Sequence, residues 1–266
     1  MGQMTTRRPV LRLRPGRAAR RPDTLAVEEP LLVRVGDRVL TSTMRTPGHD
    51  FDLVAGWLVG EGAVREKPEI AGLKECINED NTIEVTLAVG VAPPRQRAFE
   101  TTSACGVCGA DRIVDVASAM RWKLRDDPTR VDVAVLSALP DAMRAEQRVF
   151  DRTGGLHAAG LFTTSGGVVI VREDVGRHNA VDKVVGAALL AGRLPLAGHV
   201  LQVSGRASFE LVQKAAAAGV PVLAAVSAPS SLAVDLADEC DLTLVGFVRG
   251  GGMNVYTHPE RVRVAR

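Results

Sequence analysis

Aromatic side chains are scarce, at 3% of the 266 residues. The core must therefore be built from Val, Leu, Ala and Ile, and a stacking platform for single-stranded nucleic acid is excluded. We expect no nucleic-acid partner. Cysteines number four, Cys76, Cys105, Cys108 and Cys240, too few for a disulfide scaffold in a chain of this length. No run approaches the roughly 20 apolar residues of a membrane span. The arginines near the start precede no apolar segment of the kind that secretory or twin-arginine signals carry. These absences predict a cytoplasmic protein with reduced thiols and no membrane partner. Ready-made nucleotide motifs are missing too. No G-x-G-x-x-G follows a strand, and Gly155 to Gly160 has P-loop spacing but runs into Leu161-Phe162 instead of Lys-Ser/Thr. Net charge is small, +2, yet unevenly spread: Arg7, Arg8, Arg12, Arg14, Arg17, Arg20 and Arg21 crowd the first segment.

That segment, residues 1–25, reads as a disordered basic tail, rich in Pro and Arg. From 26 to 112 the signals are those of a small α+β lobe. Leu31–Val35 and Arg38–Thr43 flank Gly36-Asp37 as a hairpin. Phe51, Leu53, Val54, Trp57 and Leu58 mark an amphipathic helix closed near Gly60, and Ile83–Leu87 alternates like a half-buried strand. Residues 113–266 read as an α/β domain. A helix from Asp132 to Gln147 precedes a break at Gly154-Gly155. Strands (156–163, 167–171, 200–203, 221–226, 242–245) then alternate with helices (177–190, 209–217, 231–237), the pattern of a parallel sheet covered on both faces. Lys183 and Lys214 fall within these helices and read as surface residues. Cys76 and Cys240 have no thiol near them in sequence and read as structural.

Two features carry chemistry. In Cys105-Gly106-Val107-Cys108-Gly109 two thiols stand three residues apart on a glycine-softened segment. That spacing suits a redox disulfide, a shared metal, a persulfide carrier or plain packing, and does not separate them. The second feature is the set of loops at the strand ends, where open α/β sheets bind ligands. They are Glu173–Asn179 with Arg177 and His178, Ser204–Ser208 with Arg206, Ser227–Ser231, and Phe247-Val248-Arg249-Gly250-Gly251-Gly252. Small residues at a strand-to-helix turn expose backbone N–H groups, glycines permit an anion-binding nest, and arginines supply forks suited to phosphate. Taken together they point to a phosphate-bearing ligand. Glu173, Asp174 and Asp182 read as caps or partners of nearby arginines. His157 and His178, in polar turns, suit either a structural hydrogen bond or a ligand contact.

Assembled, these motifs resemble the FdhD/NarQ family of formate dehydrogenase accessory sulfurtransferases, from about Leu31 to the C-terminus. The resemblance rests on Thr46-Pro47, the Leu53–Leu58 helix with Glu61-Gly62, the Cys105–Gly109 motif and Gly154–His157. It continues through Asp174–Lys183, Ser204–Glu210, Ser227–Ala233 and Gly246–Thr257. It implies a cytidine-deaminase-like three-layer α/β/α domain beside the smaller N-terminal lobe. Deaminase chemistry is not expected, because no H-x-E is paired with P-C-x-x-C. It implies a sulfur relay: a cysteine desulfurase loads a loop cysteine, and the sulfur passes to the molybdenum of a bis(molybdopterin guanine dinucleotide) cofactor, carried as cargo, before insertion into the formate dehydrogenase catalytic subunit. The resemblance points to Cys105 as the persulfide carrier with Cys108 as its partner, although the spacing does not settle which thiol takes which role. It assigns the cargo to Phe247, Val248, Arg249, Gly250, Gly251 and Gly252, with Arg177, His178, Ser204, Arg206 and Ser227 from the other loops. No resident cofactor or metal is expected, and a homodimer would suit a ligand with two similar halves. The rival readings are a cofactor-binding chaperone with incidental thiols, and a protein in which they bind zinc.

Overall fold

The structure, a computed structural model, describes residues 2–77, 79–94 and 110–264. Its first surprise is the basic segment. β1 (Thr5–Arg14) and β2 (Arg17–Ala26) form an antiparallel ribbon in register from Thr5↔Ala26 to Arg14↔Arg17. The expected disordered tail is therefore corrected. Pro15-Gly16 supplies a two-residue turn, with φ of 71° at Gly16, the conformation that glycine after proline adopts in tight turns. Pro9 and Pro22, neither able to donate to the ladder, lie opposite one another.

The N-terminal lobe is a four-stranded sheet ordered β4-β3-β6-β5. β3 (Glu29–Val35) and β4 (Arg38–Arg45) form the hairpin over Gly36-Asp37, β5 is Ile70–Glu75, and β6 (Thr82–Leu87) lies parallel to β3. Between β4 and β5 runs α1 (Asp50–Gly60). After the undescribed stretch come α2 (Ala110–Ser118), β7 (Val131–Asp132), α3 (Val133–Glu146) and α4 (Arg148–Thr153), a short helix closed by Gly154 at φ 66°.

The larger sheet has six strands in the order β13-β12-β11-β10-β8-β9. They are β8 (His157–Thr163), β9 (Val168–Asp174), β10 (His199–Val203), β11 (Val222–Ala225), β12 (Thr243–Arg249) and β13 (Gly252–Val255). The all-parallel expectation holds only for β10, β11 and β12; β8, β9 and β13 run antiparallel to their neighbours. Tight turns between β8 and β9, and between β12 and β13, leave no length for the crossover a parallel pair needs. Last, β14 (Val262–Arg263) pairs with β7.

The sheet sits in three layers. Leu201, Val203, Leu223 and Leu244 face α5 (Arg177–Leu190), α6 (Phe209–Ala217) and α7 (Ser231–Glu239). On the other side Val200, Val222, Ala224 and Val245 meet Leu136, Leu139 and Met143 of α3. The first of these cores continues without a break through α1 into Leu31, Val33, Ile83 and Val85 of the small sheet, so the 112/113 boundary drawn from sequence does not divide the packing. α1 and α5 run antiparallel at glycine-mediated contact: a Cβ on Gly56 would stand 1.9 Å from the Asp182 carbonyl, and one on Gly186 would stand 1.8 Å from that of Asp52.

Beside these helices the two lobes are tied by polar groups. Lys183, expected at the surface, is fully buried with Nζ 2.7 Å from Asp174 Oδ2, and it donates to the Thr46 carbonyl at 2.8 Å. The same carboxylate accepts from the backbone N–H of Thr46 and Gly176 and from Asn179 Nδ2. Asp174 thus pairs with a lysine rather than an arginine. No described helix is long and apolar enough to cross a membrane.

Candidate functional site

The strand directions put six chain ends on one rim of the large sheet. β10, β11 and β12 end there, as does β9, while β8 and β13 begin there. The loops predicted from sequence as ligand-bearing therefore do converge. Ser204 Oγ accepts from Ala158 N at 2.9 Å, locking the end of β10 to the start of β8. Ser227 N donates to the Gly205 carbonyl (3.3 Å), and the Ser227 carbonyl accepts from Phe247 N (3.2 Å). Ser230 caps α7 through Ala233 N, the ordinary role of a serine there.

Phe247 takes a left-handed φ of 54°, which is uncommon for a bulky residue and marks a locally constrained backbone. The Arg249 guanidinium lies 5.6 Å from the Phe247 ring centroid. Gly250 and Gly251, at φ 58° and 82°, make the two-residue turn into Gly252, where positive φ at both positions matches the right-handed twist of the strands. Val248 departs from the others: its side chain is fully buried in the α3-facing core, so only its backbone remains for a ligand.

Arg177 begins α5, and its Nε is buried with no hydrogen-bond partner among the described residues. Arg206 is exposed. An unpaired guanidinium donor, an exposed arginine and a third over an aromatic ring, all on one rim, form a surface complementary to phosphate. His157 lies beside Gly205; burial and Arg177 lower its pKa.

His178 faces inward. Its Nε2 is 3.3 Å from Ser208 Oγ, and Nδ1 is 3.6 Å from a Glu210 carboxylate oxygen. Burial pushes its pKa down to about 4, so the ring is neutral near pH 7. Beyond it lie Asp182 and Lys214, with Nζ 2.8 Å from Oδ1. Burial pushes the Asp182 carboxyl up to about 6 against the pull of Lys214. Burial works against the Lys214 charge as well, but Asp182 and Glu210 outweigh it and raise its pKa. Lys214 is thus buried and paired, not a surface residue as expected. These groups border a cavity of about 410 Å³ under the small sheet, walled by Met44, Leu53 and Trp57. Sequence reading missed this cavity, because its walls come from both lobes; Glu210, in the first turn of α6 just past the conspicuous Ser204–Ser208 loop, was its nearest signal.

A pH dependence follows from these shifts. Below the usual histidine value of 6.5 the unfolded chain gains a proton that folded His178 refuses until about pH 4, so stability falls on acidification across that window. Asp182 acts oppositely between 6 and its ordinary 3.8, where the folded carboxyl protonates first. His178→Gln removes only the first effect. Urea midpoints measured from neutral pH to about pH 4.5 are expected to fall less for the variant than for the parent; parallel curves would contradict the assignment.

Glu173 proves to be a cap, accepting from Val149 N and Phe150 N at the start of α4. Burial pushes the Cys240 thiol up to about 12, which makes it a poor nucleophile and agrees with a structural role. Cys105 and Cys108 lie outside the described residues. The described chain resumes with α2, whose Ile113 and Ala117 enter the core that also holds Ala233 and Leu236 of α7, the helix that opens on the loop-bearing rim. Among the described residues no cluster of His, Cys, Asp and Glu is arranged to hold a metal.

Similar proteins agree with this architecture. A chain from Streptomyces avermitilis named sulfur carrier protein FdhD is 55% identical, the match covering 98% of this chain and 97% of that one. A protein of the same name from Mycolicibacterium paratuberculosis is 52% identical, over 98% and 99%. A solved structure from Desulfotalea psychrophila, named as that of a formate dehydrogenase accessory protein, superposes with a TM-score of 0.78 at 25% identity, covering 98% of this chain and all of that one. Residues 26–263 match the family model, and the chain belongs to the FdhD/NarQ family.

Proposed function

We propose that this protein is a sulfur carrier for formate dehydrogenase, taking sulfur from a cysteine desulfurase as a persulfide and passing it to a molybdenum cofactor held on the loop-bearing rim. Relatives named sulfur carriers, and a structural neighbour named as a formate dehydrogenase accessory protein, support the general role. The observation that carries the finer reading is the convergence of Arg177, Arg206 and Arg249 with serine- and glycine-lined turns on one rim. A bis(molybdopterin guanine dinucleotide) cofactor is polyanionic through its phosphates, and such a rim complements it.

In the proposed relay the Cys105 thiolate attacks the terminal sulfur of the desulfurase persulfide. That S–S bond breaks, the desulfurase cysteine leaves as thiolate, and a Cys105 persulfide forms. Cys108 thiolate then attacks the Cys105 sulfur and forms a disulfide. The outer sulfur departs as sulfide to the metal, having gained the two electrons the thiols lose. A thiol reductant restores the pair.

Incubation with a cysteine desulfurase and ³⁵S-cysteine is expected to leave label that a reductant removes. Cys105→Ala should abolish it and Cys108→Ala should retain it, read by gel and by mass spectrometry of the loop peptide. Equal labelling of the Cys105→Ala, Cys108→Ala double variant would end the carrier reading. Formate dehydrogenase activation by that variant would favour a cofactor-binding chaperone.

A further inference from the structure

The β1–β2 ribbon takes no part in the site just described, and the family match begins at residue 26, where the ribbon ends. Ten residues of paired strand reach about 30 Å, and an isolated two-stranded ribbon is marginal in water. This one is anchored at its base. Arg152 of α4 donates to Thr5 Oγ1 at 3.1 Å, and Ala26 Cβ lies against Gly155. Gly155 stands two residues before His157, so the ribbon is rooted beside the loop-bearing rim.

Its register separates two kinds of face, because residues paired across an antiparallel ladder point to the same side. Arg8, Val10↔Arg21, Arg12 and Arg14↔Arg17 fall on one side, which gathers five arginines against a single acid, Asp23. The other side carries Arg7↔Thr24, Pro9↔Pro22, Leu11↔Arg20 and Leu13↔Ala18, two arginines around a short apolar stretch. Leu11 and Leu13 are 58% and 69% exposed, so no described part of the chain covers them. A ribbon with five arginines on one side and the exposed Leu11 and Leu13 between two more on the other is satisfied on both only by a groove.

We propose that this arm docks into an acidic groove with an apolar wall on the enzyme that receives the cargo, an assignment that rests on the carrier reading above. The charge demands an anionic partner, and the chemistry narrows it to protein. Residues 1–26 hold no aromatic side chain, which leaves neither a surface for base stacking nor the ring anchors of a membrane interface. Glu28 stands two residues past the arm, so an extended polyanion laid along the arm would run into a carboxylate there. Rooted beside the rim, the arm would hold the acceptor next to the edge from which cargo departs.

The test uses the full-length protein and purified, cofactor-free formate dehydrogenase catalytic subunit, with affinity measured by biolayer interferometry at ~50 and ~200 mM salt. One variant carries R8S, R12S, R14S, R17S and R21S; the other carries Leu11→Ser and Leu13→Ser. Each is expected to lose about tenfold or more in affinity, and the parent's binding should weaken with salt. Melting of the body and loading of sulfur from a desulfurase should be unchanged. Either variant binding as the parent does, or a parent that does not bind, would overturn the proposal. So would arginine-dependent binding to a short DNA duplex or to phosphatidylserine vesicles with binding to the subunit intact. A parent that binds the subunit but takes up no sulfur would sink the carrier reading while leaving the docking result standing.

Discussion

Gly186→Ala is expected to destabilise the protein by about 3 kcal/mol or more, the upper end of what overpacking costs. The new methyl group would lie 1.8 Å from the Asp52 carbonyl oxygen and 2.6 Å from Gly56 N. Both are backbone atoms within a helix, so no rotamer change relieves the clash, and α1 must move off α5. Gly56→Ala should behave alike, since its Cβ would meet the Asp182 backbone. Gly72→Ala is the control: nothing lies nearer than 3.8 Å there, and a surface change of that kind stays within about 0.5 kcal/mol. Urea unfolding of the three variants is the measurement. Gly186→Ala matching Gly72→Ala would mean that the helices are not in contact as described.

Lys183→Met is expected to cost about 3–5 kcal/mol, because it strands the Asp174 carboxylate without a counter-charge in the interior. Both side chains are fully shielded from water, so added salt should not reproduce the loss in the parent. Pairing Lys183→Met with Asp174→Asn should recover part of it, since the neutral amide keeps some hydrogen bonds and no charge is left unpaired. The lost contact also includes the Thr46 carbonyl, so the variant should show faster amide exchange around residues 44–49. A Lys183→Met protein as stable as the parent, with unchanged exchange, would refute the role given to this pair.

Both effects bear on what a sequence can reveal. The hairpin over Gly36-Asp37, α1, the helix–strand alternation after residue 156 and the strand-end loops were legible, because each depends on neighbours close in sequence. Gly56 and Gly186 were not: in one dimension a helical glycine is only a propensity cost, and its reason lies some 130 residues away across a helix pair. Lys183 and Lys214 read as surface residues because a lysine in a helix usually faces water. α5, however, is pressed between the large sheet and α1, and ten of its residues, from Asn179 to Leu189, are buried. The arm was missed for a different reason. Arginine density suggested solvation, although Pro15-Gly16 and the alternation Val10-Leu11-Arg12-Leu13-Arg14 already held a hairpin's turn and period.

The parallel sheet was over-read from apolar strands, which cannot report direction; the short connections after β8 and β12 could have. At the rim, sequence picked out loops that the fold does bring together, but it counted Val248 among ligand contacts, where strand alternation turns its side chain into the core.

The clasp of Lys183, Asp174 and Thr46, together with helices locked glycine to carbonyl, has a mechanical corollary. The halves of this molecule cannot gape like a clamshell around a guest without exposing a charged pair and tearing a continuous interior. On the carrier reading proposed above, a bulky passenger would come and go over the lip of the large sheet, with the body serving as a stiff tray.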